Sequence, residues 1–235
     1  MKRQQRFIKG GEFLSRIKIF TGHFGSGKTE FAINYALDLA KKGEKVVLAD
    51  MDIVNPYFCS RDVEDILNQN SIRLIASNKK FSNAELAVVP AEVLAVFNDK
   101  SYQVIMDVGG DDQGAVVLGQ YNRYFKEEPY DMFFVINNNR PLTESAADTI
   151  DYLRSVERVS RLKVTHLVSN TNLSYETKIE DILHGDKIVR EVSEKTGIPY
   201  EYTLCRKDFL GELKGKVIGE LYGLDIFMKP PWRQD

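Results

Sequence analysis

Residues 21–30 of the chain read TGHFGSGKTE, a stretch with three glycines and one lysine in ten residues. It lies between an apolar run at 17–20 and a segment whose apolar residues recur at helical spacing. Residues 22–29 match the pattern G-x-x-x-x-G-K-[ST], in which the backbone N–H groups of a loop surround phosphate oxygens. The helix that follows adds the positive end of its dipole. The stretch therefore predicts a phosphate-binding loop, the P-loop, between a strand and a helix.

The residues of this loop have distinct predicted roles at a bound nucleotide. Lys28 is expected to reach the β- and γ-phosphates and to be catalytic, and the hydroxyl of Thr29 is expected to bind Mg²⁺. The other predicted nucleotide contacts are Gly22, His23, Phe24, Gly25, Ser26, Gly27 and Glu30.

Two further segments place carboxylates at the ends of predicted strands. In QVIMDVGGDD, Asp107 ends an apolar run, the position of a Walker B carboxylate that holds Mg²⁺. Asp107 and Gly110 also spell D-x-x-G, a spacing that lets the glycine N–H contact a γ-phosphate. In VVLADMDIVNPYFCSR, Asp50 and Asp52 follow the second strand, and a D-x-D there can place one acid near Mg²⁺ or the attacking water. The alternative is a polar strand exit in which an aspartate caps a turn.

Apolar strand-like runs alternate with helical patterns along most of the chain. Strands are predicted at 17–20, 46–49, 72–76, 104–108, 132–137, 164–169 and 200–204. Helices are predicted after the glycine loop as far as Gly43, and at 62–69, 90–97, 113–126, 143–159 with Thr143 as N-cap, 187–195 and 208–221. This alternation indicates βαβ units and a mainly parallel sheet with helices on both faces.

The predicted fold class is therefore α/β, a three-layer P-loop nucleotide-binding domain that spans residues 16–235. A basic arm at 1–15 precedes it, and we interpret this arm as flexible or loosely docked. The domain ends in a proline-broken tail, MKPPWRQD, which can dock through Trp232.

Charge and cysteine content exclude several classes of protein. The net charge of −2 gives no overall basic field for nucleic acid or anionic lipid, so no nucleic-acid partner is expected. The first 16 residues lack the apolar segment of a signal peptide or membrane anchor. Cys59 and Cys205 are far apart and form no CxxC pair, which argues against a disulfide scaffold or a self-contained zinc site. A reducing cytoplasm is the expected location.

The three segments together resemble the MinD/ParA-type branch of P-loop NTPases. That branch includes septum-positioning and chromosome-partitioning ATPases, metallocentre-maturation ATPases, and the dethiobiotin and cobyrinic acid a,c-diamide synthetases. The resemblance covers about residues 16–210, although only the glycine loop is sharply specific. DIVNPYF and DVGGDD also resemble uncharacterised bacterial ATP-binding proteins described as cobyrinic-acid-synthase-like (CobQ-like).

The resemblance has implications for structure and site. It implies a seven- or eight-stranded, mainly parallel sheet, the use of ATP and Mg²⁺, and a nucleotide-bridged homodimer. It assigns Asp52 to the switch I aspartate that orients the attacking water, and Asp107 to the Walker B aspartate.

One loop position departs from the resemblance. Many members carry a signature lysine early in the loop, which reaches the nucleotide of the partner subunit, and His23 stands at that position here. Histidine is shorter and can be neutral near pH 7, so the sequence leaves this intersubunit contact unassigned. Arg61, Arg140 and Arg206 are candidates to replace the lysine, and each also fits an ordinary surface residue.

Two further polar strand ends bear on which nucleotide base the site would bind. The chain has no N-K-x-D motif for guanine, whereas HLVSNTN ends a predicted strand with Asn170, whose amide can donate to and accept from adenine. The resemblance supports Asn170 as the base reader, and the alternative is a turn residue. VINNNRP is a second polar strand end, where Pro141 favours a turn.

Three classes of function remain for such a site: a nucleotide switch, a synthetase and a small-molecule kinase. A glutamine-dependent synthetase needs a glutaminase domain, for which this chain has no room, and no arginine-rich kinase lid is apparent. The segments DIVNPYFCSR and DVGGDDQG fit switching on γ-phosphate loss. We therefore predict an Mg²⁺-dependent ATPase with slow basal turnover that serves a protein or metal-site client. The alternative is an ATP-dependent synthetase that phosphorylates a substrate carboxylate.

Overall fold

The computed structural model describes residues 7–9, 12–51, 61–76, 91–110 and 112–228. The predictions for Asp52, for Cys59 and for the tail with Trp232 lie outside these residues. Within the predicted N-terminal arm, strands β1 (Phe7–Lys9) and β2 (Glu12–Leu14) pair antiparallel.

A parallel sheet of eight strands is the centre of the described structure. Its strands are β3 (Ile17–Thr21), β4 (Lys45–Asp50), β5 (Arg73–Ala76), β6 (Tyr102–Asp107), β7 (Tyr130–Ile136), β8 (His166–Ser169), β9 (Tyr200–Arg206) and β10 (Glu220–Leu224). They lie in the order β10-β9-β8-β7-β3-β6-β4-β5, and every neighbouring pair is parallel. The predicted α/β class with a mainly parallel sheet is confirmed. β3, which leads into the glycine loop, lies between β6 and β7.

Helices cover both faces of this sheet. They are α1 (Lys28–Lys41), α2 (Arg61–Gln69), α3 (Ala91–Asn98), α4 (Asp112–Gln120), α5 (Asn122–Glu127), α6 (Ala146–Ser160), α7 (Ile179–Thr196) and α8 (Leu210–Leu213). Alternate residues of the strands point to opposite faces. Ile17 and Ile19 of β3 join one core with α3 to α7, whereas Phe20 joins a second core with α1 and α2. The predicted three layers are therefore present.

The C-terminal region differs from the sequence prediction. Residues 208–221 were predicted as a helix, and this prediction is wrong. A 3₁₀ turn (Lys207–Phe209) and the four-residue α8 are followed by β10, which pairs with the edge of β9. Glycines at 211, 215 and 219 lower the helix propensity of this stretch, and pairing with β9 supplies backbone partners that no local pattern reveals.

The bounds of two other helices also differ from the prediction. The helix predicted from Thr143 begins at Ala146, and its N-cap is Ser145, whose Oγ accepts a hydrogen bond from the Asp148 N–H at 3.2 Å. Thr143 is fully buried, and its hydroxyl donates instead to the carbonyl of Asn137 at 2.7 Å. The helix predicted at 113–126 is divided at Tyr121 into α4 and α5.

Candidate functional site

The glycine loop lies at the carboxyl end of the sheet and joins β3 to α1. Gly27 caps α1 with a left-handed backbone (φ 82°), a conformation that favours glycine. A Cβ on Gly27 would also lie 2.1 Å from the Nδ2 atom of Asn170. That Nδ2 atom donates to the carbonyl of Ser26 at 2.7 Å. The end of β8 therefore holds the glycine loop directly, through the residue that the sequence analysis selected as base reader.

Asn137 holds the same loop from the end of β7, and sequence reasoning missed this role. Its side chain is fully buried, and its Nδ2 atom donates to the carbonyls of Gly25 (3.2 Å) and Asn172 (3.1 Å). Its Oδ1 atom accepts from the N–H groups of Asn139 and Asn172. The turn expected in VINNNRP is present, since the Arg140 N–H donates to the Asn137 carbonyl. A polar residue directly after the apolar run 132–136 was the available signal.

Thr29 and Asp107 meet beneath the loop. Asp107 is the last residue of β6 and is fully buried, and Thr29 lies in the first turn of α1. The Thr29 hydroxyl donates to the Asp107 carboxylate at 2.6 Å. A hydroxyl and a carboxylate oxygen are ligands suited to Mg²⁺. Two of the residues predicted to lie at Mg²⁺, Thr29 and Asp107, are therefore in direct contact, whereas Asp52 lies outside the described residues.

The D-x-x-G glycine also lies on the loop. A Cβ on Gly110 would be 2.2 Å from the carbonyl oxygen of Gly22, so only glycine permits this approach. The hydroxyl of Tyr152, on α6, donates to the Gly110 carbonyl at 2.7 Å. The same tyrosine ring packs edge-on against His23, with ring centroids 5.3 Å apart. Tyr152 thus contacts both the D-x-x-G segment and the glycine loop. The sequence did not predict this role for Tyr152.

The remaining predicted residues have varied environments. Lys28 is buried as the first residue of α1, and Ser26 is buried in the loop. Phe24 is 65% exposed at the loop tip, and its carbonyl is hydrogen-bonded to Nδ1 of His23. Asp50 is buried at the end of β4, where it is in register with Asp107.

Of the three arginines considered as replacements for the signature lysine, Arg140 touches the loop. A Cβ on Gly25 would lie 2.8 Å from the Nε atom of Arg140. Arg206 instead pairs with Asp208, with its Nε atom 3.1 Å from Oδ1, and lies over the ring of Phe209. The side chain of Arg61 lies outside the described residues.

A cavity of about 180 Å³ opens beside Gly27 and Glu30. Polar residues that follow β8 line part of it, and apolar residues from β9, β10 and the segments after them line another part. The polar and charged residues include Asn170, Thr171, Asn172, Ser174, Thr177 and Arg206, and the apolar residues include Leu204, Cys205, Phe209, Leu224, Ile226 and Met228. Burial raises the pKa of the Cys205 thiol to about 11, so this thiol stays protonated at neutral pH. A cavity that combines apolar side chains with polar groups is suited to a small organic ligand that has both apolar and polar parts.

Within the described ranges, no cluster of three or more histidine, cysteine, aspartate or glutamate side chains is arranged to hold a metal ion. Mg²⁺ in nucleotide sites commonly takes one or two protein oxygens and completes its shell with phosphates and water. The pair formed by Thr29 and Asp107 fits that pattern. No helix in the described part of the chain has the length and apolar character needed to span a membrane.

Comparisons with known proteins establish the class of fold. The sequence matches no protein-family profile and no curated protein. Among solved structures, FtsY from Mycoplasma mycoides matches with a TM-score of 0.54 at 20% identity, over 79% of this chain and 59% of that chain. The cell division protein FtsY from Thermotoga maritima gives 0.56 at 15% identity, over 85% and 64%. Chloroplast FtsY from Physcomitrella patens gives 0.54 at 18% identity, over 82% and 58%.

In each case the chain spans less than two thirds of the structure that it matches. Similarity at this level of identity establishes the fold alone. The protein has the α/β fold of the P-loop NTPases, with its glycine loop between the central strand β3 and helix α1.

Proposed function

We propose that the protein is an Mg²⁺-dependent ATP-binding protein and ATPase that acts as a nucleotide switch. The observation that carries the proposal is the 2.6 Å contact between the Thr29 hydroxyl and the Asp107 carboxylate beneath the glycine loop. These two oxygens would hold Mg²⁺, which neutralises phosphate charge when it is bound. The loop N–H groups and the start of α1 would bind the phosphates, with Lys28 on the β- and γ-phosphates.

Adenine is the proposed base because of how Asn170 is used. One N–H of its Nδ2 atom donates to the Ser26 carbonyl, which leaves Oδ1 as an acceptor and the second N–H as a donor for a ligand. This pair matches the exocyclic amino group and neighbouring ring nitrogen of adenine, whereas guanine presents two acceptors at the same place. The base would occupy the cavity beside Gly27 and pack against the apolar side chains that line it.

The proposed switch is the segment that carries Gly110. This glycine lies directly on Gly22, and Tyr152 holds its carbonyl. Contact between the Gly110 N–H and a γ-phosphate would be lost on hydrolysis, and the segment could then rearrange. Asp52 is proposed to orient the attacking water. A protein or metal-site client would read the change, and a nucleotide-dependent homodimer in the cytoplasm is the proposed working form.

Turnover measurements on the purified chain test this proposal. We expect slow, Mg²⁺-dependent release of ADP, with ATP bound at least about tenfold more tightly than GTP. Cell extract should raise turnover, and small carboxylic acids should not. ADP release that depends on an added acid would instead identify the synthetase, and no binding of any nucleotide would reject the proposal.

A matched pair of threonine variants tests the metal site. Thr29→Val removes the hydroxyl and keeps the shape, so it should abolish most of the gain in ATP affinity that Mg²⁺ provides. Thr149→Val makes the same change on α6, where the hydroxyl donates to the Ser145 carbonyl. This control should retain the full Mg²⁺ effect, and a Thr29 variant that behaves like it would contradict the assignment.

A further inference from the structure

A row of polar side chains on α1 holds the chain that follows the sheet. Glu30, Asn34 and Asp38 are spaced by four residues and so lie on one side of the helix. Each is hydrogen-bonded to β10 or to residues 225–228 directly after it. We call residues 225–228 the C-terminal strap.

The strap is held through its backbone. The Glu30 carboxylate accepts hydrogen bonds from the N–H groups of Phe227 (2.6 Å) and Met228 (3.1 Å). Asn34 accepts from the Asp225 N–H at 2.8 Å and donates to the Asp225 carbonyl at 2.9 Å. One helix therefore satisfies four backbone groups of a segment nearly 200 residues further along the chain.

Glu30 is an unusual residue at its position. It follows Thr29 in the first turn of α1 and is only 9% exposed. Burial raises the pKa of its carboxyl group, and the two strap N–H groups act in the opposite direction by stabilising the charged form. A carboxylate beside a phosphate site would repel the ligand, so placing two donors on it reduces that repulsion. The two N–H groups of the strap therefore stabilise the buried Glu30 carboxylate.

The strap also forms part of the cavity beside the glycine loop. Ile226 and Met228 line it together with Gly27, Glu30 and Asn170. Glu30 thus stands where the phosphate loop, the base-reading asparagine and the strap converge. Its carboxylate oxygens are directed to the strap, which argues against the direct nucleotide contact expected from the sequence.

We propose that Glu30 is a positioning residue for the nucleotide base, because its carboxylate holds the strap as a wall of the base cavity. The base then packs against Ile226 and Met228 on one side while Asn170 reads its edge. The inference rests on the proposed nucleotide-binding function. It assigns to the strap a contact with the base and none with the phosphates.

Inorganic tripolyphosphate separates the two parts of the ligand, because it has the phosphates of ATP and no base. For Glu30→Gln we expect Mg·ATP to bind about tenfold more weakly, since one strap N–H loses its acceptor. The affinity for Mg·tripolyphosphate should be unchanged or higher, because the variant also removes a negative charge beside the phosphate site. Equal weakening of both ligands, or of neither, would overturn the proposal. If the wild-type chain binds neither ligand, the proposed function itself has failed.

Tyr222→Phe is the matched control on the same helix. The Tyr222 hydroxyl donates to Asp38 at 2.5 Å, and this contact lies outside the cavity lining. The variant loses one hydrogen bond between α1 and the C-terminal region, so it should reduce stability and leave both affinities unchanged. If it weakens ATP as Glu30→Gln does, the effect is general destabilisation and the proposal is wrong.

Hydrogen exchange in the wild-type chain tests the same point without a variant. ATP should slow exchange of the Phe227 and Met228 amides, because a base packed on the strap limits its opening. Tripolyphosphate should leave these amides unchanged while protecting the glycine loop. Equal protection of the strap by both ligands would contradict a contact with the base.

Discussion

Two buried lysines lie at opposite ends of the sheet, and their surroundings differ in kind. Lys18, in β3, is 2% exposed near the amino end of the sheet, and Lys28, at the start of α1, is 6% exposed at the carboxyl end. They are ten residues apart in the same strand–loop–helix unit. A buried ammonium group requires polar partners, so the source of those partners distinguishes a structural lysine from a functional one.

At the amino end the chain itself supplies the partners. The Lys18 ammonium group donates to the Ser15 carbonyl (2.5 Å) and to Oε1 of Gln103 (3.2 Å). Burial lowers the pKa of Lys18 to about 8, although the charges of Asp131 and Glu44 favour its protonated form. Every one of these groups belongs to β3, a neighbouring strand or an adjoining turn. This end of the sheet is therefore closed by side chains.

At the carboxyl end the backbone dominates. The loop around Lys28 is rich in glycine, and asparagine amides from β7 and β8 hold its carbonyls. Its N–H groups and the start of α1 are the donors proposed for phosphate. The comparison assigns a structural role to Lys18 and is consistent with the proposal that Lys28, in the glycine loop, binds phosphate.

The largest expected effect is that of Lys28→Ala. It should weaken ATP about 100-fold or more, because it removes the charge proposed for the β- and γ-phosphates. Titration with a fluorescent ATP analogue measures this. Lys18→Met is the control at the other end of the sheet and should leave ATP affinity unchanged. Equal affinities of Lys28→Ala and the wild type would reject the P-loop assignment.

Asp52→Asn should lower ATP turnover about 100-fold, a transition-state loss of about 3 kcal/mol. The substitution keeps the size of the side chain and removes the charge that would align the attacking water, so ATP affinity should stay within a few-fold. Asp107→Asn is the comparison, since loss of a metal ligand should weaken Mg·ATP as well. Normal turnover in the Asp52 variant would make Asp50 or a partner residue the leading candidate.

Lys18 should make stability depend on pH. Its pKa falls from the ordinary value of 10.5 to about 8 in the folded chain, so between these values the unfolded chain binds more protons. Stability therefore rises with pH across this window, by about 3 kcal/mol from Lys18 alone. Urea denaturation at several pH values, compared between the wild type and Lys18→Met, isolates this contribution. A constant difference between the two proteins would show that Lys18 keeps an ordinary pKa.

Asn170→Ala should have the smallest of these effects. We expect ATP to bind more weakly by about 1–2 kcal/mol, because the base loses its acceptor and the loop loses the bond to Ser26. Asn122→Ala, on α5, removes an amide that donates to the Arg161 carbonyl far along the chain and should leave affinity unchanged. Tighter binding of GTP than of ATP by the wild type would contradict the assignment of the base.

Part of this structure was predictable because the signals are local. The glycine loop, the apolar runs and their alternation with helices are short patterns, and they led to the α/β class and to most elements of the sheet. Because carboxyl ends of parallel strands meet at one edge, the positions of Thr29 and Asp107 after their strands also anticipated their contact. Local spacing was sufficient for these features.

Features that depend on distant partners were not predictable in this way. Strand β10 was not predicted, and its first two residues fell within the helix predicted at 208–221, since its pairing with β9 is visible only in the sheet. The sequence predicted only a turn at Asn137, because its hydrogen bond to the carbonyl of Gly25 in the glycine loop depends on the folded structure.

The division follows from chemistry. Glycine and lysine spacing is a property of neighbouring residues, so the phosphate-binding loop could be predicted from local sequence. The contacts that hold this loop, and the residues that line the cavity proposed for the base, are visible only in the folded chain. A hydrogen bond between Glu30 and a strap that is 197 residues away forms only after the chain has brought them together.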